Sequence, residues 1–150
     1  MDAPGNPLGS RSGDPLGTGA RVLRPAGWAP PRGYADGVVA AGRYVVLAGQ
    51  IGWDPAAAAF ASDDFAEQAG QALRNVATLL AEAGARPEHL VRMTWYVTDR
   101  AAYVAARHQV GRAYREHLGA HYPAMSVVVV AGLLEERALV EIEATAVIPG

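Results

Sequence analysis

The sequence contains no cysteine among its 150 residues. That absence excludes disulfide bonds, thiolate nucleophiles and thiolate metal ligands. It also agrees with a reducing compartment, where disulfides are rare, and we therefore expect a cytoplasmic protein.

Long apolar runs and a surplus of basic residues are also absent. No segment approaches the roughly 18 continuous apolar residues of a membrane-spanning helix, and the N-terminus lacks the basic and apolar regions of a signal peptide. The formal net charge is -2 and the sequence pI is about 6.1, so no strong positive field attracts a phosphate backbone. We therefore expect neither a membrane nor a nucleic acid as a partner.

The composition that remains is that of one globular domain. Hydrophobic residues make up 51% of the chain and charged residues 19%, and 150 residues is a usual domain length. Residues 1–20 are rich in glycine and proline and contain almost nothing large and apolar, so we predict a disordered leader there. Residues 21–150 are predicted to form a single domain.

Apolar residues at three- and four-residue steps predict two helices. Ser62 and the two aspartates after it suit the start of the first helix, and Gly84 suits its end. The second helix should begin after Asp99 and end at Gly119. Both helices carry one apolar stripe, so each should pack on another layer.

Strands are predicted in five segments: residues 37–41, 44–48, 90–97, 124–133 and 139–148. The first two are separated by a short polar link and are predicted to form a hairpin. The fourth is a continuous apolar run, which is typical of a strand covered on both faces. The fifth alternates, with apolar residues on one side and glutamates on the other.

These elements predict an α+β fold. We expect a two-layer sandwich in which a mostly antiparallel sheet of five to six strands carries both helices on one face. The other face is left uncovered, although the valines of residues 126–130 alternate to both sides. Because exposed apolar patches mark interfaces, we predict that copies of the chain associate through this face.

The histidines offer no convincing metal site. His117 and His121 have the spacing of a helical metal-binding pair, but Gly119 and Pro123 interrupt a helix there and no third ligand has metal spacing. We interpret the pair as a solvated helix end and predict no metal.

Two glutamates stand on the polar side of the last predicted strand. Glu141 and Glu143 form a plain solvated face in one interpretation. In the other, their apolar neighbouring strand partly desolvates a carboxylate, which can then serve as an acid or a base. The spacing alone leaves both interpretations open.

Several motifs in a fixed order resemble the RidA family, also called YjgF or endoribonuclease L-PSP. The motifs are Gly49-Gln50-Ile51-Gly52, Gln71 with Asn75, residues 94–99, Tyr122-Pro123-Ala124 and Val140-Glu141-Ile142-Glu143-Ala144. The resemblance covers residues 34–148. It implies a chorismate-mutase-like fold and a homotrimer whose sheets face inward, with small-molecule clefts between neighbouring subunits.

The best-known branch of that family implies hydrolysis of reactive enamines and imines to 2-oxo acids and ammonia, without metal or cofactor. The glutamate that positions water in the family is Glu141 in this sequence. The family arginine that clamps the substrate carboxylate is replaced by Met125, and a thioether cannot form those two charge-assisted hydrogen bonds. The serine of the family's Tyr-Ser pair is also replaced, because Ala35 follows Tyr34.

These departures predict a ligand other than a small 2-imino acid. Glu141 is the predicted catalytic residue, and a larger or aromatic ligand would contact Tyr34, Trp53, Met125 and Val127. Packing in the trimer core is the alternative role for Met125.

The resulting prediction is a small-molecule deaminase or hydrolase of the RidA-like type, acting on an enamine, imine or related unsaturated metabolite at a subunit interface. A ligand-binding or regulatory trimer without catalysis is the alternative. An endoribonuclease or translation inhibitor ranks third, because the chain is acidic.

Overall fold

A computed structural model describes residues 19–150, so the predicted leader lies outside the described residues except for its last two. The strands are β1 (Arg21–Val22), β2 (Val38–Val39), β3 (Arg43–Ile51), β4 (Trp53–Asp54), β5 (Ala59–Phe60), β6 (Leu90–Val97), β7 (Ala124–Val129) and β8 (Val140–Ile148). The helices are α1 (Phe65–Glu82) and α2 (Arg100–Leu118), and a 3-10 turn (Pro87–His89) precedes β6.

Four strands form the main sheet in the order β3, β8, β6, β7. β8 runs antiparallel to both of its neighbours, whereas β6 and β7 are parallel and are joined by α2. A parallel pair needs such a long crossover, and a helix usually supplies it. The two other sheets have two strands each, β1 with β2 and β4 with β5.

The hydrophobic core lies between this sheet and the helices. Alternate residues of the central strands point into it and are fully buried, as are apolar residues on one face of α1. They include Met93, Val97, Val140, Ile142, Leu73, Val76 and Leu80. The predicted α+β class, with two helices on one sheet face, is confirmed. The main sheet has four strands, fewer than the predicted five to six, because two pairs of very short strands form separate sheets.

Both helices start and end with the predicted chemistry. The Asp64 carboxylate accepts a hydrogen bond from the backbone N–H of Glu67 at 2.9 Å, so the cap lies two residues after Ser62. Asp99 caps α2 in the same way, and Gly119 follows its last residue with φ 71°. Neither helix in the described part of the chain is long and apolar enough to cross a membrane.

The predicted hairpin of residues 37–41 and 44–48 is wrong. β2 pairs with β1, whereas β3 pairs with β8 in the main sheet. The two segments separate at Gly42, where φ is 149° and a Cβ atom would collide with the backbone of Ile148. The chain therefore crosses the end of β8 at this point, which only glycine permits.

β7 is an edge strand of the main sheet, and one chain alone does not cover both of its faces. The strand also ends at Val129, before the predicted residue 133. Val127, Val128 and Val129 keep 40%, 44% and 54% of their surface exposed. Within the described residues β7 pairs along its length only with β6, so its other edge is open.

Candidate active site

β8 places Glu141 on the uncovered face of the main sheet. Val140 and Ile142, on either side of it in sequence, are fully buried in the core, so the intervening glutamate must point the other way. Glu141 lies opposite Ile51 of β3 and Tyr96 of β6 and is half-buried. The predicted catalytic residue is therefore flanked by strands on both sides.

The neighbouring strand β3 is irregular beside this carboxylate. Its register with β8 shifts between Leu47 and Gln50, which is the mark of a β-bulge. A Cβ atom on Gly49 would collide with the Glu141 carboxylate, so the carboxylate lies directly over the glycine backbone. The Gln50 side chain donates a hydrogen bond to the Ala48 carbonyl at 3.1 Å. Glycine in the Gly-Gln-Ile-Gly motif thus makes room for Glu141.

The segment after the bulge is fixed by α1. The Asn75 side-chain amide donates hydrogen bonds to the carbonyls of Ile51 and Trp53, at 3.3 and 3.0 Å. The Gln71 amide in turn donates to the Asn75 side-chain oxygen at 2.8 Å. A Cβ atom on Gly52 would collide with Gln68, so helix and turn are in close contact. These polar residues of α1 hold the bulge against Glu141.

The two glutamates of β8 have different surroundings. Glu143 is exposed and accepts a hydrogen bond from the Tyr96 hydroxyl at 2.9 Å. This bond, with a smaller contribution from burial, raises the pKa of Tyr96. Glu141 has no hydrogen-bond or ion-pair partner among the described residues. It is therefore the carboxylate that remains available to a water molecule or a ligand.

The predicted substrate-binding residues fall into two groups. Trp53 follows the bulge, is half-buried and contacts Phe60 with ring centroids 6.1 Å apart. Tyr34 lies instead at the start of β7, because the backbone N–H of Ala35 donates to the Pro123 carbonyl at 2.9 Å. Ala35 also pairs with Ala124 in a parallel bridge. Tyr34 is therefore close in the fold to the Pro-Ala motif.

Met125 and Val127 lie on the other face of the sheet from Glu141. Met125 is opposite Met93 and packs against the core, and Val127 is opposite Trp95, which is also buried. One chain therefore does not bring Met125 and Glu141 into one cavity. A cleft that contains both must take them from different copies of the chain.

The interpretation of His121 as part of a solvated helix end is wrong. Its Nε2 atom lies 2.8 Å from the Leu90 carbonyl oxygen, so that nitrogen carries the proton. His89 is buried, and its Nδ1 atom accepts a hydrogen bond from the backbone N–H of Arg86 at 3.0 Å. Burial, followed by the charge of Arg86, lowers the pKa of His89. The described residues contain no group of three potential metal ligands.

Fold and site together define an α+β domain with helices on one sheet face and a half-buried acid on the other. The chain belongs to the Endoribonuclease L-PSP family, whose model matches residues 26–148. The resemblance to RidA proteins is thereby confirmed.

Three relatives illustrate the similarity. The 2-iminobutanoate/2-iminopropanoate deaminase of Salmonella typhimurium is 36% identical over 114 residues, which is 76% of this chain and 86% of that protein. The human protein of the same name is 31% identical over 105 residues, which is 70% of this chain and 73% of the human protein. The structure of YyfB from Yersinia pestis, a Rid-family protein of unknown function, matches with a TM-score of 0.76 at 32% identity, covering 87% and 99% of the two chains.

Proposed function

We propose that the protein is a deaminase that hydrolyses an enamine, an imine or a related unsaturated metabolite, with Glu141 as general base. The supporting observation is the half-buried Glu141 carboxylate, which lies over the Gly49 backbone and has no partner among the described residues. Two relatives that are 31% and 36% identical carry the name of an imine deaminase.

The proposed reaction starts from the imine, which an enamine forms when its carbon is protonated. The imine nitrogen takes up a proton from solvent, and Glu141 accepts a proton from water while the water oxygen bonds to the imine carbon. Glu141 returns that proton to the nitrogen in the next step. The resulting carbinolamine expels ammonia and becomes a carbonyl compound. The chain contains neither lysine nor cysteine, so no side chain can form a Schiff base or a thioether adduct instead.

We further propose that the protein works as a homotrimer in the cytoplasm, without metal or cofactor, with each site between two copies. The uncovered sheet face carries large apolar groups, among which Tyr44 and Val46 are 71% and 75% exposed. Such a surface favours burial by another copy. Association would also allow Glu141 of one copy to approach Tyr34 and Met125 of its neighbour, which a single chain does not permit.

The substrate should differ from a small 2-imino acid because Met125 stands where the family has its arginine. Ammonia release should be measured with freshly generated 2-aminoacrylate and with a larger unsaturated enamine of the 2-aminomuconate type. We expect turnover of the larger compound and little of the small one. Rates equal to buffer with both compounds would contradict a deaminase of this class.

The same assay can test Met125 directly. Met125→Arg should raise activity on 2-aminoacrylate, because a guanidinium at the family's arginine position would supply a carboxylate clamp worth about 1.5–3 kcal/mol per hydrogen bond. Met125→Leu is the matched control and should leave both rates near those of the unmodified protein. Equal rates for all three proteins would show that position 125 does not select the substrate.

A ligand-binding trimer without catalysis is the second candidate, and the missing arginine favours it. Saturable binding of the larger enamine without any ammonia release would support that function over the first.

A further inference from the structure

A cavity of about 750 Å³ lies between the loop of residues 24–34 and the C-terminal end of α2. Leu118, His121 and Glu88 are among the residues that line it. Tyr34 lines it as well, but Glu141 does not. Its volume is in the range of small-molecule sites, about 300–1,000 Å³. Within one chain the cavity does not include Glu141, although it shares Tyr34 with the cleft proposed above between two copies.

The loop that encloses this cavity is fixed at both ends. Before the loop, the Leu23 N–H donates to the Gly37 carbonyl at 2.8 Å, and after it the Ala35 N–H donates to Pro123 at 2.9 Å. The loop also contains prolines 25, 30 and 31, whose rings restrict the backbone φ angle. The cavity wall is therefore largely preformed, which lowers the entropy lost on binding a ligand.

Aromatic rings supply much of the cavity surface. Trp28 and Tyr34 line the cavity and keep 64% and 43% of their surface exposed. Neither side chain is therefore buried in the protein core. Tyr122 also lines it and is held by stacking on Tyr114, with ring centroids 5.1 Å apart and an interplanar angle of 16°. Such rings accept a planar apolar ligand, and their faces attract a cation.

The charged groups of the cavity favour a cation. The charged residues that line the cavity are the carboxylates Asp36 and Glu88 and the single guanidinium of Arg24. Arg86 Nε is 3.7 Å from Glu88 Oε2, beyond hydrogen-bond distance, and Glu88 accepts no hydrogen bond from the described residues. Asp36 likewise has no polar partner among them. Asp36 is therefore free to pair with a ligand that carries a positive charge, and Glu88 can accept a hydrogen bond from the same ligand beside its ion pair with Arg86.

We propose that this cavity binds a small aromatic amine in its protonated form, with the ring on the aromatic wall and the ammonium at the carboxylates. No deamination is required of this site. The ligand of this cavity combines a flat ring with a positive charge, and its proposed contacts do not include Glu141.

Calorimetric titration of the full chain with tryptamine tests the proposal. We expect saturable binding with a dissociation constant of about 0.1–1 mM, as suits a ligand of this size. Indole-3-propionate has the same ring with a carboxylate and should bind at least about tenfold more weakly, because it faces Asp36 and Glu88. Equal affinity for both compounds, or no saturation with tryptamine, would overturn the proposal.

Variants and amide chemical shifts then locate the site. Glu88→Gln and Trp28→Ala should each weaken tryptamine binding about tenfold, because they remove the ion pair or the ring face. Glu136→Gln, which changes an exposed glutamate away from the cavity, should bind like the unmodified protein. Tryptamine should shift the amide signals of residues 24–36 and 118–122. Shifts centred on residues 49–51 and 141 instead, or unchanged binding by both cavity variants, would contradict the assignment.

Discussion

The two faces of the main sheet are made by alternate residues of the same strands, yet their environments differ. On the helix face, Val140 and Ile142 are fully buried against α1. On the other face, Glu141 is half-buried and Val46 is 75% exposed. One strand, β8, therefore contributes residues both to the hydrophobic core and to the proposed catalytic site. Substitutions at adjacent positions should therefore change different properties.

The largest effect on stability is expected on the helix face. Ile142→Ala should lower the free energy of unfolding by about 2–5 kcal/mol, because it leaves a cavity in a fully packed core. Urea unfolding followed by circular dichroism measures the change. Thr145→Ala, on the uncovered face of the same strand, is the control and should cost less than about 1 kcal/mol. Equal losses would mean that the two faces are not distinct.

The second effect is on catalysis, at the bulge. Gly49→Ala should reduce ammonia release roughly 100-fold, because the new methyl group displaces the Glu141 carboxylate and small misplacements of a catalytic group are costly. Gly70→Ala is the matched control, since its Cβ atom would meet only Ala113 at 3.6 Å. That variant should keep full activity. A fully active Gly49→Ala protein would show that Glu141 need not lie over this backbone.

The third effect concerns assembly through the uncovered face. If the proposed trimer forms through this face, Val46→Asp should shift the protein toward monomer, because burying an unpaired carboxylate in an interface is unfavourable. Light scattering coupled to size-exclusion chromatography measures the mass. Leu134→Asp alters a side chain that is 98% exposed in a loop and should leave the mass unchanged. A trimeric Val46→Asp protein would place the interface elsewhere.

The smallest expected effect is a pH dependence of the free energy of unfolding that arises from His89, in the turn before β6. The pKa of His89 in the folded protein is below its ordinary value of 6.5, so the fold favours the neutral ring that accepts the Arg86 N–H. Its contribution to stability is present above pH 6.5 and is lost as the pH falls below that value. Urea midpoints at pH 7.5 and 5.5 should differ less in His89→Gln than in the unmodified protein. Identical differences would exclude His89 as a cause.

The sequence carries more information about the helix face than about the uncovered one. Periodicity and caps predict α1, α2 and β6 closely, because burial of one stripe leaves a strong local pattern. The alternation of residues 139–148 correctly separates Glu141 from the buried residues beside it. These features depend on neighbours in sequence.

Features that depend on distant contacts were predicted poorly. The false hairpin arises because apolar strands joined by a short link usually pair, whereas Gly42 here crosses the end of β8. The parallel register of β7 puts Met125 opposite the buried Met93, so within one chain it lies on the other sheet face from Glu141, and their grouping in one cleft stays a prediction about two copies. The cavity beside Trp28 has no local signal, since it depends on how the proline-containing loop meets α2. Gly49 was visible as part of a motif, but its contact with Glu141 was not.

The central claim is that Glu141, and not the neighbouring Glu143 on the same face, activates water. Ammonia release from the larger enamine should be compared for the unmodified protein, Glu141→Gln and Glu143→Gln, after unfolding curves show that all three are folded. We predict a loss of about 100-fold or more for Glu141→Gln and less than about threefold for Glu143→Gln. Full activity of Glu141→Gln, or equal losses in both variants, would contradict the account.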